Sequence, residues 1–291
     1  MNKFLERLRS GKTLVADGAT GTNLHKLGLQ PGIAPEDLVF DQPELILKLE
    51  SAFAAAGSDI LLTCTFGGTR LRMKDSKYAL RVTEVNTRAV ELTHQAASFH
   101  SGILVAGSIG PTGLLMKPYG PLTQDEACAA FTEQARGLVA GGVDLLVIET
   151  MFAFDEADAA FKAARNITDL PIVVSFSYDR GTRTMMGVGP AEMIKRYKEM
   201  GAALVGANCG SSLENAETVA QEYAAAEPGF PLWLKPNAGL PRMLDGKTVF
   251  DVTPEQMAEF ARKSVALGAR VVGGCCGNTP EHIAAIAKSV N

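Results

Sequence analysis

Eight short apolar runs, helix-patterned stretches between them and a length of 291 residues predict an α/β fold, a single (β/α)8 TIM barrel over residues 1–291. The runs are almost continuously Val, Ile and Leu, as strands are in a parallel sheet covered on its outer face by helices. Eight consecutive strand-then-helix units leave no spare edge, which favours a closed barrel over a doubly wound open sheet. No linker or shift of composition marks a second domain.

The strands are expected, in order, at Thr13–Ala19, Ser58–Phe66, Ile103–Gly110, Asp144–Thr150, Pro171–Asp179, Leu204–Gly210, Pro231–Gly239 and Val271–Gly277. Helical spacing fills the gaps. "PELILKLESAFAAAG" closes on Gly57 just before the second strand. "TQDEACAAFTEQARGLVAGG" opens on Thr123 with Glu126 three residues on, the spacing of a capping box, and closes on glycine. Thr253–Gly268 repeats that design, and the last helix starts at "TPEHI" with Pro280 in its first turn. "GTNLHKLGLQPGIAPEDLVF" reads as a long loop with a short helix over the barrel mouth.

A net charge of -4 and a pI near 5.7 speak against a nucleic-acid partner, which usually meets a basic face. No apolar run reaches the ~18 residues of a membrane span. "MNKFLERLRSGKT" has no apolar signal core, so a cytoplasmic protein is expected. Five cysteines, an odd number, read as thiols or metal ligands rather than a disulfide framework.

In a barrel enzyme the working residues sit where strands end. Those ends carry Asp17-Gly18, Thr63, Glu149, Asn208-Cys209, Lys235-Pro236-Asn237 and Cys275-Cys276. A strand sends successive side chains to opposite faces. Adjacent Cys275 and Cys276 therefore share one spot only if the backbone bends, and Gly273, Gly274 and Gly277 permit the bend. Converged with Cys209, they would offer three thiolates. That set suits zinc and leaves a fourth position for substrate, the pattern of a catalytic site. A thiol bound there would lose its proton near neutral pH and become a nucleophile.

Plainer readings stand beside this one. The three cysteines fit inert packing or redox chemistry, and Cys128, on a helix, fits packing. Glu149 suits an ion pair and Asp17 a turn in "DGATG". Lys235 on a barrel strand suits a Schiff-base aldolase, although that leaves the paired cysteines without a role. His25, His94, His100 and His282 fall in helical or loop contexts and fit surface roles. "DGATGTNL" lacks the spacing and lysine of a P-loop.

Taken together, "DGATGTNL", "GSIGPTG", "IETM", "GANCG", "KPNAGLP" and "GGCCGNTPEHI" run in order from Asp17 to Ile283. The set resembles the homocysteine S-methyltransferase family, closest to the homocysteine-binding module of cobalamin-dependent methionine synthase. The resemblance implies a (β/α)8 barrel that holds zinc through Cys209, Cys275 and Cys276. It implies homocysteine as methyl acceptor, its sulfur the fourth zinc ligand and methionine the product. Asp17, the Gly18 backbone, Thr63 and Glu149 match positions that hold the acceptor's amino-acid end, and Asn208 lies beside the first ligand. A methylated corrinoid, brought by a separate corrinoid protein, is the implied donor. S-methylmethionine or betaine is the alternative, as is a non-catalytic homocysteine-binding subunit of a larger complex. Two features depart from the module. Cys64 stands where asparagine is usual, and strand alternation from an inward Thr63 would turn Cys64 outward as a packing residue. The sequence carries no folate barrel and no Asp-x-His-x-x-Gly cobalamin signature, so the methyl group is expected to arrive from outside.

Overall fold

The computed structural model describes residues 2–244 and 247–291. The apolar runs form eight parallel strands: β1 Leu14–Val15, β2 Ile60–Leu62, β3 Leu104–Ile109, β4 Leu145–Met151, β5 Ile172–Phe176, β6 Leu204–Cys209, β7 Leu232–Pro236 and β8 Ala269–Val272. From β2 to β8 each strand pairs with the next, and β8 also pairs with β1. A parallel bridge between Ala16 and Ile60 joins β1 to β2 and completes the circuit. Asp17 N–H donates there to Ile60 O at 3.0 Å, and Asp59 N–H to Val15 O at 2.7 Å. The predicted barrel is present.

Strand alternation divides the core into two layers. Leu14, Ala16, Ile60, Leu62, Leu104, Ala106, Leu145, Val147, Val173, Leu204, Trp233 and Val271 fill the lumen, with Phe4 of the N-terminal helix Lys3–Arg9 among them. The alternate residues Val15, Leu61, Val105, Leu146, Val174, Val205, Leu234 and Val272 pack outward against the helices. Carried one step up the strands, the inward positions become Ser108, Glu149, Ser175, Asn208 and Lys235. This layer is polar, and it floors the mouth.

Eight helices alternate with the strands: Pro43–Ala55, Val82–Ala97, Gln124–Gly141, Phe154–Ile167, Pro190–Glu199, Leu213–Ala226, Pro254–Ala266 and Pro280–Val290. The capping boxes form as expected, with Thr123 and Glu126 bonding each other's backbone N–H and Gly142 ending that helix at φ +89°. Thr253 pairs with Gln256 in the same way, and at the last helix Thr279 N–H donates to His282 Nδ1 at 3.1 Å. The stretch after β1 holds more helix than expected: Thr20–Lys26, a 3-10 turn at Pro35–Asp37 and Leu38–Asp41. A small hairpin, Arg242–Leu244 against Lys247–Val249, rises from the loop after β7. No described helix is long and apolar enough to cross a membrane.

Candidate functional site

The loop after β8 shows why glycines frame its two cysteines. Pairing stops at Val272, but the backbone stays pinned between its neighbours. Gly274 N–H donates to Asp17 O at 3.1 Å, Cys275 N–H to Pro236 O at 2.8 Å, and Ala238 N–H to Cys276 O at 2.9 Å. A Cβ on Gly274 would sit 2.2 Å from the Asn278 side chain, and Gly277 has φ +82°. Only glycine fits such positions without strain. The turn that results brings both thiols to one side. At the end of β6, Cys209 takes φ +58°, rare for a residue with a side chain. Its Sγ lies 3.1 Å from that of Cys275, and all three sulfurs fall within 4.8 Å of one another.

That arrangement fits a metal. Tetrahedral zinc with sulfur at about 2.3 Å spaces its ligands about 3.8 Å apart, so the three sulfurs need shifts of only about 1 Å. Among the described residues this is the one group of His, Cys, Asp or Glu that converges so closely. Hydrogen bonds from Cys209 and Cys275 draw the Cys276 thiol well below its ordinary range, so one sulfur already favours the thiolate.

Asn208 braces the cluster. Its Oδ1 accepts from Thr150 N–H (2.9 Å) and Ser175 Oγ (2.6 Å), while Nδ2 donates to Thr150 Oγ1 (2.6 Å). Nδ2 also lies 3.5 Å from Cys209 Sγ and 3.9 Å from Cys275 Sγ. Among the described residues Thr150, held this way, is the other non-glycine residue with positive φ, at +61°.

The thiols open into a cavity of about 500 Å³. Of the predicted site residues, Gly18, Thr63, Glu149, Cys209, Cys275 and Cys276 line it. Asp17 and Asn208 stand behind its wall. Asp17 is committed twice, for Lys235 Nζ donates to its Oδ1 at 2.7 Å and Leu62 N–H to its Oδ2 at 2.7 Å. Lys235 itself faces the cavity. Glu149 Oε1 accepts from Ser108 Oγ at 2.6 Å. Burial pushes the Glu149 carboxyl up to about 7, with Lys235 opposing the rise and Cys275 adding to it. Burial works against the Lys235 ammonium, but Asp17 and Glu149 outweigh it and hold its pKa above the ordinary lysine value. A Schiff-base nucleophile needs a neutral amine, and Asp17 and Glu149 oppose that form of Lys235.

Thr63 has less freedom than its sequence position implies. Thr65 Oγ1 donates to Ser108 O (2.7 Å), which leaves the Thr63 hydroxyl to donate to Thr65 Oγ1 (2.6 Å) while it accepts from Ser108 N–H (3.1 Å). Its proton is spent, and one lone pair remains for a donor. Gly18 N–H, by contrast, has no acceptor among the described residues. A Cβ at Gly18 would lie 2.7 Å from both Asn278 O and the Phe53 ring.

Cys64 belongs to the outer core layer at 2% exposure and lies outside the thiol trio, although it also lines the cavity. Leu62 faces the lumen, so strict alternation would turn Cys64 inward, but the ladder ends at Leu62 and Thr65 N–H folds back to Thr63 O at 2.8 Å. Cys128 is likewise apart from the trio. His94 and His282 bond backbone carbonyls, and His25 does the same from the cavity rim. Sequence reasoning missed Ser108, Thr150, Ser175 and Asn278. Only Asn278 carried a local signal, directly after the glycine-framed cysteines; its Nδ2 donates to Pro236 O at 3.0 Å.

A homocysteine S-methyltransferase family profile matches residues 14–290. Among solved structures, the metallated form of the homocysteine methyltransferase MmuM from Escherichia coli is similar, with a TM-score of 0.81 at 23% identity over 99% of each chain. The oxidized form of the same protein gives 0.79 at 24% identity over 98% of each chain. A methyltransferase from Methanosarcina mazei gives 0.62 at 12% identity over 99% of this chain and 96% of that one. At these identities the likeness is one of fold.

Proposed function

The chain belongs to the homocysteine S-methyltransferase family, and on that premise we propose that Cys209, Cys275 and Cys276 hold the zinc ion beside which homocysteine is methylated. One observation carries the reading: three thiols from strand ends remote in sequence meet at the floor of a single cavity. Bound zinc would supply a Lewis acid that keeps the acceptor's sulfur ionised at neutral pH.

The chain's own residues do the rest. Glu149 lines the cavity and supplies the negative charge for the acceptor's ammonium, with the open lone pair of Thr63 beside it. Gly18 N–H supplies a donor for the carboxylate. Asp17 and Asn208 act from behind, the first by anchoring Lys235 and the second by fixing Thr150 and the sulfurs. Held at its far end, the acceptor presents its thiolate to a methyl group approaching from the mouth. In-line attack forms the S–CH3 bond as the donor–methyl bond breaks, its electron pair leaving with the demethylated donor, and methionine results.

We favour a methylated corrinoid carried by a separate protein as the donor, for two reasons. Phe66 is the only Phe, Tyr or Trp among the described cavity-lining residues. A small onium donor such as betaine is usually held by a cage of several rings. Apart from Phe99, the large apolar side chains exposed among the described residues lie on loops leading out of strand ends, on the cavity side. Tyr119 (71%), Met185 (57%), Leu240 (58%) and Met243 (69%) are examples. A partner protein docking over the mouth would cover these side chains. The test is methionine formation by zinc-loaded protein with methylcobalamin, a methylated corrinoid protein, S-methylmethionine or betaine at matched concentrations. The corrinoid sources should work. Turnover with S-methylmethionine or betaine alone would overturn the donor, and no turnover with any donor would favour a binding subunit.

A further inference from the structure

We propose that Lys235 is a specificity-determining residue of this site, binding the acceptor's carboxylate through its ammonium so that acceptors are selected mainly by their negative end. The proposal deepens the reading above and rests on the cavity accepting a thiol amino acid.

Placement comes first. Lys235 occupies an inward position near the end of β7, is 2% exposed and lines the cavity together with Gly18, Glu149 and Cys275. Hydrogen-bond valence comes next. An ammonium has three N–H groups, and among the described residues Asp17 is the only acceptor that Lys235 bonds. A buried cation with donors to spare is costly unless something fills them. The acceptor's carboxylate is the group that would.

Charge bookkeeping points the same way. Two carboxylates, Asp17 and Glu149, face one lysine. Asp17 is neutralised by Lys235, which leaves Glu149 for one incoming ammonium. An amino-acid acceptor also brings a carboxylate, and the Thr63 hydroxyl has no proton left to offer it. Of the donors on the cavity wall, Arg72 lies beside the Glu36 carboxylate, whereas Lys235 and the Gly18 backbone have N–H groups to offer. A lysine serving only as the structural partner of Asp17 would affect all ligands alike, whereas one that binds the carboxylate distinguishes them by which end they carry.

The test measures equilibrium binding by calorimetry and needs no methyl donor. Zinc-loaded and metal-free protein are titrated with homocysteine, with 4-mercaptobutyrate, which lacks the ammonium, and with 3-mercaptopropylamine, which lacks the carboxylate. Wild-type protein should bind 4-mercaptobutyrate within about tenfold of homocysteine and 3-mercaptopropylamine about 100-fold more weakly. Lys235→Gln should weaken homocysteine and 4-mercaptobutyrate by about 10- to 100-fold and leave 3-mercaptopropylamine unchanged. Because Lys235→Gln strands a buried Asp17, the neutral pair Asp17→Asn/Lys235→Gln is measured alongside, with folding checked by circular dichroism, and should show the same pattern. A folded variant that weakens all three thiols equally, or none, overturns the role of Lys235 and leaves the thiol-acceptor reading intact. Failure of wild-type protein to bind any of the three would overturn both.

Discussion

Glu149→Gln should make the metal-free protein more stable and its acceptor binding worse, and the structure sets the size of both effects. The Glu149 carboxyl titrates at about 7 in the fold against 4.5 when unperturbed, because burial opposes its charge. The attraction of Lys235 is already contained in that shift. A folded-state value above the unfolded one means that stability is fully present below pH 4.5 and is lost as pH rises through 7. At 1.36 kcal/mol per unit, ionisation of Glu149 costs the fold about 1 kcal/mol at pH 5.5 and about 3 kcal/mol at pH 8. Glutamine keeps an acceptor for Ser108 and carries no charge to bury. Denaturant unfolding of reduced, metal-free wild type and Glu149→Gln at the two pH values measures the difference directly. The variant should gain about 2 kcal/mol more at pH 8 than at pH 5.5. Homocysteine affinity should fall by up to about tenfold through loss of the charged partner of its ammonium, with 4-mercaptobutyrate unaffected. A variant no more stable than wild type at pH 8, or a gain that ignores pH, would refute the reasoning.

Replacing Cys209, Cys275 or Cys276 by alanine should abolish stoichiometric zinc by metal analysis and reduce methyl transfer to background; retention of one zinc per chain in all three would defeat the ligand assignment. Cys64→Ala should keep its zinc and most of its activity, at a stability cost of roughly 1–2 kcal/mol for the small void left in the outer core. Loss of metal from that protein would place a fourth sulfur at the site. Gly18→Ala forces a methyl group within 2.7 Å of Asn278 O and the Phe53 ring. Overpacking of that order should cost about 1–3 kcal/mol in denaturant unfolding, and unchanged stability would show that the loop can move aside.

The barrel was legible because a parallel strand buried on both faces writes itself as continuous apolar sequence, and the helix starts because Thr123 and Thr253 announce their caps and Pro280 a first turn. Strand lengths were not. The run at Ser58–Phe66 yields a ladder only at Ile60–Leu62, since apolarity reports burial, while pairing stops where the chain turns to build the site. The thiol trio could be read from two glycine-framed cysteines and an Asn-Cys-Gly. The roles of Asp17, Thr63 and Asn208 could not, because they depend on partners such as Lys235, Ser108 and Thr150 supplied by other strands. Those partners become neighbours only once closure sets which inward layer each strand contributes.

What the polar layer achieves is a site whose side chains hold one another in place. Thr150 and Cys209 each hold a backbone conformation that costs on the order of 1–3 kcal/mol and persists only when its surroundings impose it. One side chain, Asn208, meets both: it bonds the Thr150 backbone and hydroxyl, and its amide reaches toward the Cys209 and Cys275 sulfurs. Ser175 fixes the Asn208 amide in turn, from the next strand. The left-handed turn at Cys209 is what carries its sulfur to 3.1 Å from Cys275. An isosteric change at Asn208 therefore tests whether the sulfurs are held or merely adjacent. Asn208→Asp removes the amide donor and sets a carboxylate against the thiolates, so zinc affinity should fall about tenfold or more although no ligand is altered. Competition with a chelator of known affinity reads that change, and an Asn208→Asp protein with wild-type affinity would show that the three sulfurs hold their places without the brace.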